Sequence, residues 1–230
     1  MGFILAGGGT GGLILSPVLR ALLASVGGRW TLRFYAVFNL IAAAFLQAAG
    51  AQLPLAFIPS YTVVLGLSAS KGANFLAASN AINAVSRILT GYAGDKFGRQ
   101  NTLMLTLLLA ACSVFAFWLT SLLSTSSTSL SLWVAFIVLY SFSAGGYYAL
   151  FPALIAEVFG IRQYAAVNAS ILFLRGLGTM FGTPVGGHLL GPSEDGTAAY
   201  ANIAYWDGAL LVGATACCVG VGSTTLTRGL

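Results

Sequence analysis

Six stretches of this 230-residue chain, near residues 3–25, 72–93, 102–123, 130–156, 164–190 and 203–222, run for about 20 residues or more with very little charge. As helices rising about 1.5 Å per residue, each is long enough to cross the roughly 30 Å hydrocarbon core of a bilayer. A soluble protein would have to bury several such helices completely, which a domain of ordinary size does not do. With 58% apolar and 7% charged residues, against about a quarter charged in soluble proteins, the expected fold class is all-α, a polytopic membrane helix bundle.

Charge placement orients the spans. Lys96 and Arg99 share one junction, Arg162 lies in the second junction after it, and Arg228 is near the end, so all four fall on one side, expected to be cytoplasmic. The intervening loops, 124–129 and 191–203, hold no Lys or Arg and carry Glu194 and Asp195. Residues 30–70 fit two arrangements. If the first span starts inside, parity requires two crossings here, with Gly50-Ala51-Gln52 as a turn, Pro54 and Pro59 kinking the second, and Lys71, Arg29 and Arg33 outside. One long helix instead reverses the first span.

Composition excludes other function classes. The net charge of +5 is dispersed along the chain, not gathered into a nucleic-acid patch. Cys112, Cys217 and Cys218 lie in apolar runs and read as packing residues. His188 is the single histidine, so it builds no metal site. The run Gly7 to Gly12 lacks the Lys-Ser or Lys-Thr of a phosphate loop and reads as close helix packing. No Ser/His/Asp set, H-E-x-x-H motif or pair of aspartates in facing spans is present, so an enzyme is not expected, nor a cofactor.

The residues that carry chemistry are cationic and amide side chains inside apolar runs. Arg87 lies about two turns before the charged junction, where an arginine costs several kcal/mol unless it faces a cavity or a partner. It reads either as a substrate contact or as a side chain snorkelling to the interface. Asn83 is one turn earlier on the same face. Arg175, in mid-span, reads equally as a second cationic contact or as a packing residue. Asn80, Tyr147 and Tyr148 suit a cavity that recognises polar solutes. Gly145, Gly146 and Gly182 to Gly187 are places where helices approach or bend.

The junction Gly91-Tyr92-Ala93-Gly94-Asp95-Lys96-Phe97-Gly98-Arg99 is read as a tight loop in which Asp95 pairs with Arg99 beside Lys96. Together with Glu157 and Arg162, it forms an expected conformational latch.

The spacing G-x-x-x-D-x-x-G-R of that junction resembles the signature loop of the major facilitator superfamily. Further segments, in order, resemble its monocarboxylate-transporter-like branch, in particular the fungal members. Ser16-Pro17-Val18 with Gly28-Arg29-Trp30-Thr31-Leu32-Arg33 resembles that branch's fifth helix and the entry to its sixth. Pro54-Leu55-Ala56-Phe57-Ile58-Pro59-Ser60-Tyr61 resembles the seventh, Ala78 to Arg87 the eighth, and Gly182-Thr183-Pro184-Val185-Gly186-Gly187 the eleventh.

The resemblance implies residues 1–50 as a remnant of an N-terminal half (the fifth and part of the sixth helix) and 51–230 as a C-terminal six-helix bundle, with an abbreviated or fused sixth/seventh region. Nothing resembles the first four helices, so either an incomplete gene model or a truncated product is expected, with a missing N-terminal half as a partner. The implied function is secondary transport of a small organic anion by alternating access between two halves, across the plasma membrane in preference to an organelle membrane. The alternative is a non-transporting helical remnant that associates with other membrane proteins. In resembling transporters, the helix-eight arginine pairs with an aspartate four residues earlier. Here that position is Asn83, which can hold an anion or Arg87 but takes up no proton near neutral pH.

Overall fold

The computed structural model describes residues 28–124 and 126–226. The expected first span at 3–25, the Ser16-Pro17-Val18 segment and Arg228 lie outside the described residues. The elements are α1 (Gly28–Val64), α2 (Ala69–Phe97), α3 (Arg99–Leu123), α4 (Ser126–Phe159), α5 (Ile161–His188), a 3-10 stretch (Ser193–Tyr200) and α6 (Ala201–Leu226). Short junctions make chain neighbours antiparallel. A π-helical turn, Val114–Trp118, interrupts α3.

Among the described residues, five segments are long and apolar enough to cross a membrane: Val37–Val64, Arg99–Leu123, Thr128–Phe159, Ile161–His188 and Gly196–Gly220. Four of them cover the expected spans from residue 102 onward. The expected span 72–93 lies in α2, which is 29 residues long but is not among the five. Asn74, Asn80, Asn83 and Arg87, with Lys71, Asp95 and Lys96 near its ends, lower its apolarity. A helix of this composition needs protein or water on its polar face.

The region 30–70 forms one helix, not two crossings. α1 is 37 residues long and runs without a break through Gly50-Ala51-Gln52, with Pro54 and Pro59 inside it. Packing overrides the turn signal: Ala43, Ala44, Ala48, Ala49, Ala51 and Leu53 are all buried against neighbouring helices. Within a membrane, neighbouring helices let a bundle tolerate the backbone bonds that prolines remove. Gly72 of α2 packs directly on the Pro59 carbonyl, where an added β-carbon would sit 3.0 Å from the oxygen.

The single helix also relocates two charges. Because α1 ends at Val64, opposite the Phe97/Arg99 and Phe159/Ile161 junctions, its first turns place Arg29 and Arg33 at the same end as Lys96, Arg99 and Arg162. The expectation that Arg29 and Arg33 lie on the opposite side is thereby corrected. Lys71 remains at that opposite end.

Small residues hold the helices together, as expected where lipid supplies no hydrophobic drive between them. Gly178, Gly182 and Gly186 recur every four residues on α5 and lie against the Phe45 carbonyl, Ala48, Ala49 and Leu53 of α1. Gly145 and Gly146 of α4 lie against Asn83, Ser86 and Thr90 of α2 and Thr106 of α3. The hydroxyls of Ser79 and Ser141 share a hydrogen bond of 2.7 Å across the α2–α4 seam. Such bonds contribute about 0.6 kcal/mol each. At the end opposite the charged junctions, Tyr61, Trp118, Trp133, Phe136 and Tyr200 form an aromatic core. There the Tyr61 and Ser121 hydroxyls lie 2.9 Å apart, and Trp133 Nε1 donates to Thr62 Oγ1 at 3.2 Å.

Candidate functional site

α4 packs against both α2 and α5 and carries the tyrosine pair that links Arg87 to Arg175. Arg87 on α2 donates from Nε to Asn83 Oδ1 at 3.2 Å, as their one-turn spacing anticipates. Its guanidinium carbon lies 5.3 Å from the centre of the Tyr148 ring. From α5, Arg175 lies 4.9 Å from the Tyr147 ring, 5.2 Å from Tyr148 and 5.7 Å from Phe151. Tyr148 therefore contacts both guanidinium groups. Cation–π contacts of this kind contribute about 0.5–2 kcal/mol each.

Among the described residues, the one ion pair is Asp95–Arg99, so Arg87 and Arg175 have no carboxylate partner. Their positive charge is held by ring faces and, for Arg87, one amide oxygen. A groove of about 120 Å³ opens beside Arg175, walled by Tyr148, Phe151, Pro152, Asn168 and Ile171. Asn168 was not singled out from the sequence. Tyr147 is buried at 1% exposure, with its hydroxyl lacking a hydrogen-bond partner. It serves as a platform beneath Arg175 and does not form the open wall. Asn80, one turn before Asn83, is exposed.

The charged junction differs from the expected loop. α2 stays helical through Phe97, so Gly91, Asp95 and Lys96 belong to its last turns, and Gly98 alone separates it from α3. Gly98 has φ 92° and ψ 131°, a backbone region that is essentially glycine's. Arg99 donates from Nη2 to Asp95 Oδ1 at 3.2 Å, an exposed contact across that break. Lys96 lies 5.7 Å from the Phe97 ring centre. Glu157 and Arg162 flank Gly160 at the equivalent α4–α5 junction, are exposed, and make no ion pair among the described residues.

One ionisable residue escaped the sequence reading. Asp207 on α6 is fully buried, and its carboxyl oxygens have no hydrogen-bond partner among the described residues. The available signal was a lone acid in the run Tyr205-Trp206-Asp207-Gly208-Ala209-Leu210-Leu211.

A bundle of long apolar helices joined by glycine-rich seams, carrying two arginines that lack a carboxylate partner among the described residues, defines a multi-pass integral membrane protein. The family description Major Facilitator Superfamily matches residues 40–226, and the chain belongs to that superfamily. It is 26% identical over 228 residues to an MFS-type transporter of Gibberella moniliformis, covering 83% of this chain and 54% of that protein. It is 30% identical over 168 residues to the MFS-type transporter pynF of Aspergillus niger, covering 72% and 36%. To the riboflavin transporter MCH5 of Saccharomyces cerevisiae it is 27% identical over 136 residues, covering 59% and 25%. The chain thus spans about half, or less, of the length of the relatives it matches. These relatives are transporters, not enzymes.

Proposed function

We propose that this chain supplies the C-terminal half of a secondary transporter of the monocarboxylate-transporter-like kind, moving a small organic anion by alternating access. The carrying observation is the Arg87–Tyr148–Arg175 arrangement. Two guanidiniums without a carboxylate partner among the described residues share one ring, and the donors that Asn83 does not take are left for an anionic ligand. Asn83, Asn80 and Asn168 add amide groups that suit polar substituents, and Tyr147 holds Arg175 in place. The aromatic share of the site favours a planar or conjugated anion.

The other half of the cavity comes, in this reading, from an N-terminal half that packs over the exposed faces of α2 and α5. Those faces carry Ile88, Tyr92, Leu172, Phe173 and Met180. Asp95 and Arg99, with Gly91, Lys96 and Gly98 around them and Glu157 and Arg162 at the next junction, form the latch at the charged end. That end faces the cytoplasm, and the plasma membrane is the proposed location.

The test is uptake of radiolabelled pyruvate and, separately, riboflavin into proteoliposomes. The chain is reconstituted alone and together with the N-terminal half of the Gibberella relative. Saturable uptake that is lost in both Arg87→Ala and Arg175→Ala supports the reading. Uptake indifferent to both substitutions overturns it.

A further inference from the structure

Asp207 lies six residues into α6, in a different seam from the arginine site. It is 0% exposed, and among the described residues neither carboxyl oxygen meets a donor. Its contact on α1 is Gly50, where an added β-carbon would stand 2.8 Å from Oδ1. On its other side, the neighbouring Gly208 fits beneath the Phe115 ring in the π-helical turn of α3. π-turns inside α-helices recur at functional positions.

Two more buried polar atoms lack partners among the described residues: Gln47 Oε1 on α1, one turn before Gly50, and the Tyr140 hydroxyl on α4. Tyr140 is the titratable group close enough to interact electrostatically with the carboxyl. α1, α3 and α5, which also pack on α6, place no charged side chain against it among the described residues.

An ionised carboxylate without a donor or a cation is not sustained in such a place, whereas a protonated one is neutral. The alternative neutralising ligand, a metal cation, would need several oxygen ligands and room to arrange them. The close approach of Gly50 leaves none. Opening the seam between α1 and α6 would admit water, let the acid release its proton to that water, and solvate the carboxylate that remains. By linkage, whatever opens the seam lowers proton affinity, and protonation favours closure.

We propose that Asp207 is a proton-binding site in the α1–α6 seam, occupied while the seam is closed and emptied to water when it opens. The site is independent of the arginine groove and needs no titratable group at position 83.

The test uses the whole chain in lipid nanodiscs and does not depend on transport. Infrared spectra across the neutral pH range are expected to show a protonated-carboxyl C=O band that is absent from Asp207→Asn. Absence of such a band in the unmodified chain overturns the proposal. Seam opening is read by maleimide labelling of Leu210→Cys, a position that packs beside Gly50, with and without Asp207→Asn. The ratio of the two labelling rates is expected to rise severalfold as pH increases. A ratio that stays flat with pH overturns the link between proton and seam.

Discussion

Asp95 and Arg99 pair across Gly98, the single residue that separates α2 from α3, with Oδ1 and Nη2 3.2 Å apart. The contact ties the end of one helix to the start of the next over a backbone break. Its partners are 69% and 39% exposed respectively, so water screens the pair. Exposed ion pairs of this kind contribute about 0–1 kcal/mol. The pair is therefore better suited to choosing between two arrangements of α2 and α3 than to holding the fold.

Asp95→Asn is accordingly expected to leave thermal stability in detergent almost unchanged while lowering uptake severalfold. The double exchange Asp95→Arg with Arg99→Asp should recover part of the loss. Thermal melts and uptake rates on the same preparations check this. A melting loss that tracks the uptake loss would make the pair structural.

Gly98→Ala is expected to destabilise by about 1–3 kcal/mol, because its φ of 92° lies where a β-carbon is strained. Gly91→Ala is the contrast. That glycine is helical and an added β-carbon meets nothing within 4 Å, so alanine should be neutral or stabilising by about 0.5–1 kcal/mol. The melting temperature should fall for Gly98→Ala and hold or rise for Gly91→Ala.

Gly182→Val should disrupt the α1–α5 seam, because the space for its side chain is already filled by the Ala49 backbone. Overpacking costs about 1–3 kcal/mol or more, and a backbone neighbour cannot rotate away. Gly187→Ala, where nothing lies within 4 Å, should be tolerated. Size-exclusion profiles in detergent, monodisperse for Gly187→Ala and aggregated for Gly182→Val, are the expected result.

Arg175→Lys keeps the charge but loses the planar group that stacks on Tyr147, Tyr148 and Phe151. If the groove binds an anion through that plane, Lys should weaken binding by about 2- to 30-fold, the equivalent of about 0.5–2 kcal/mol. Arg175→Ala should weaken it further. Half-saturation constants for the uptake probe distinguish these. Equal affinity for Lys and Arg would reduce the role of Arg175 to charge alone.

The sequence by itself determined the solvent this chain folds in. Apolar runs of about 20 residues require helices across a bilayer, and four of them lie where their hydropathy places them. It also made Arg87 and Asn83 neighbours, because one helical turn separates them whatever else the chain does.

Tertiary structure decided the rest, since the deciding contacts join residues far apart in the chain. Gly50-Ala51-Gln52 carries turn residues, yet burial against α5 and α6 keeps α1 helical through it and puts Arg29 and Arg33 at the charged end. Arg87 and Arg175 are 88 positions apart in number and meet only because Tyr148 lies between their helices. In the sequence, Asp207 is a single acid near the start of an apolar run. Its isolation became visible only once Gly50 closed over it, because a buried group's cost depends on the partners the fold provides.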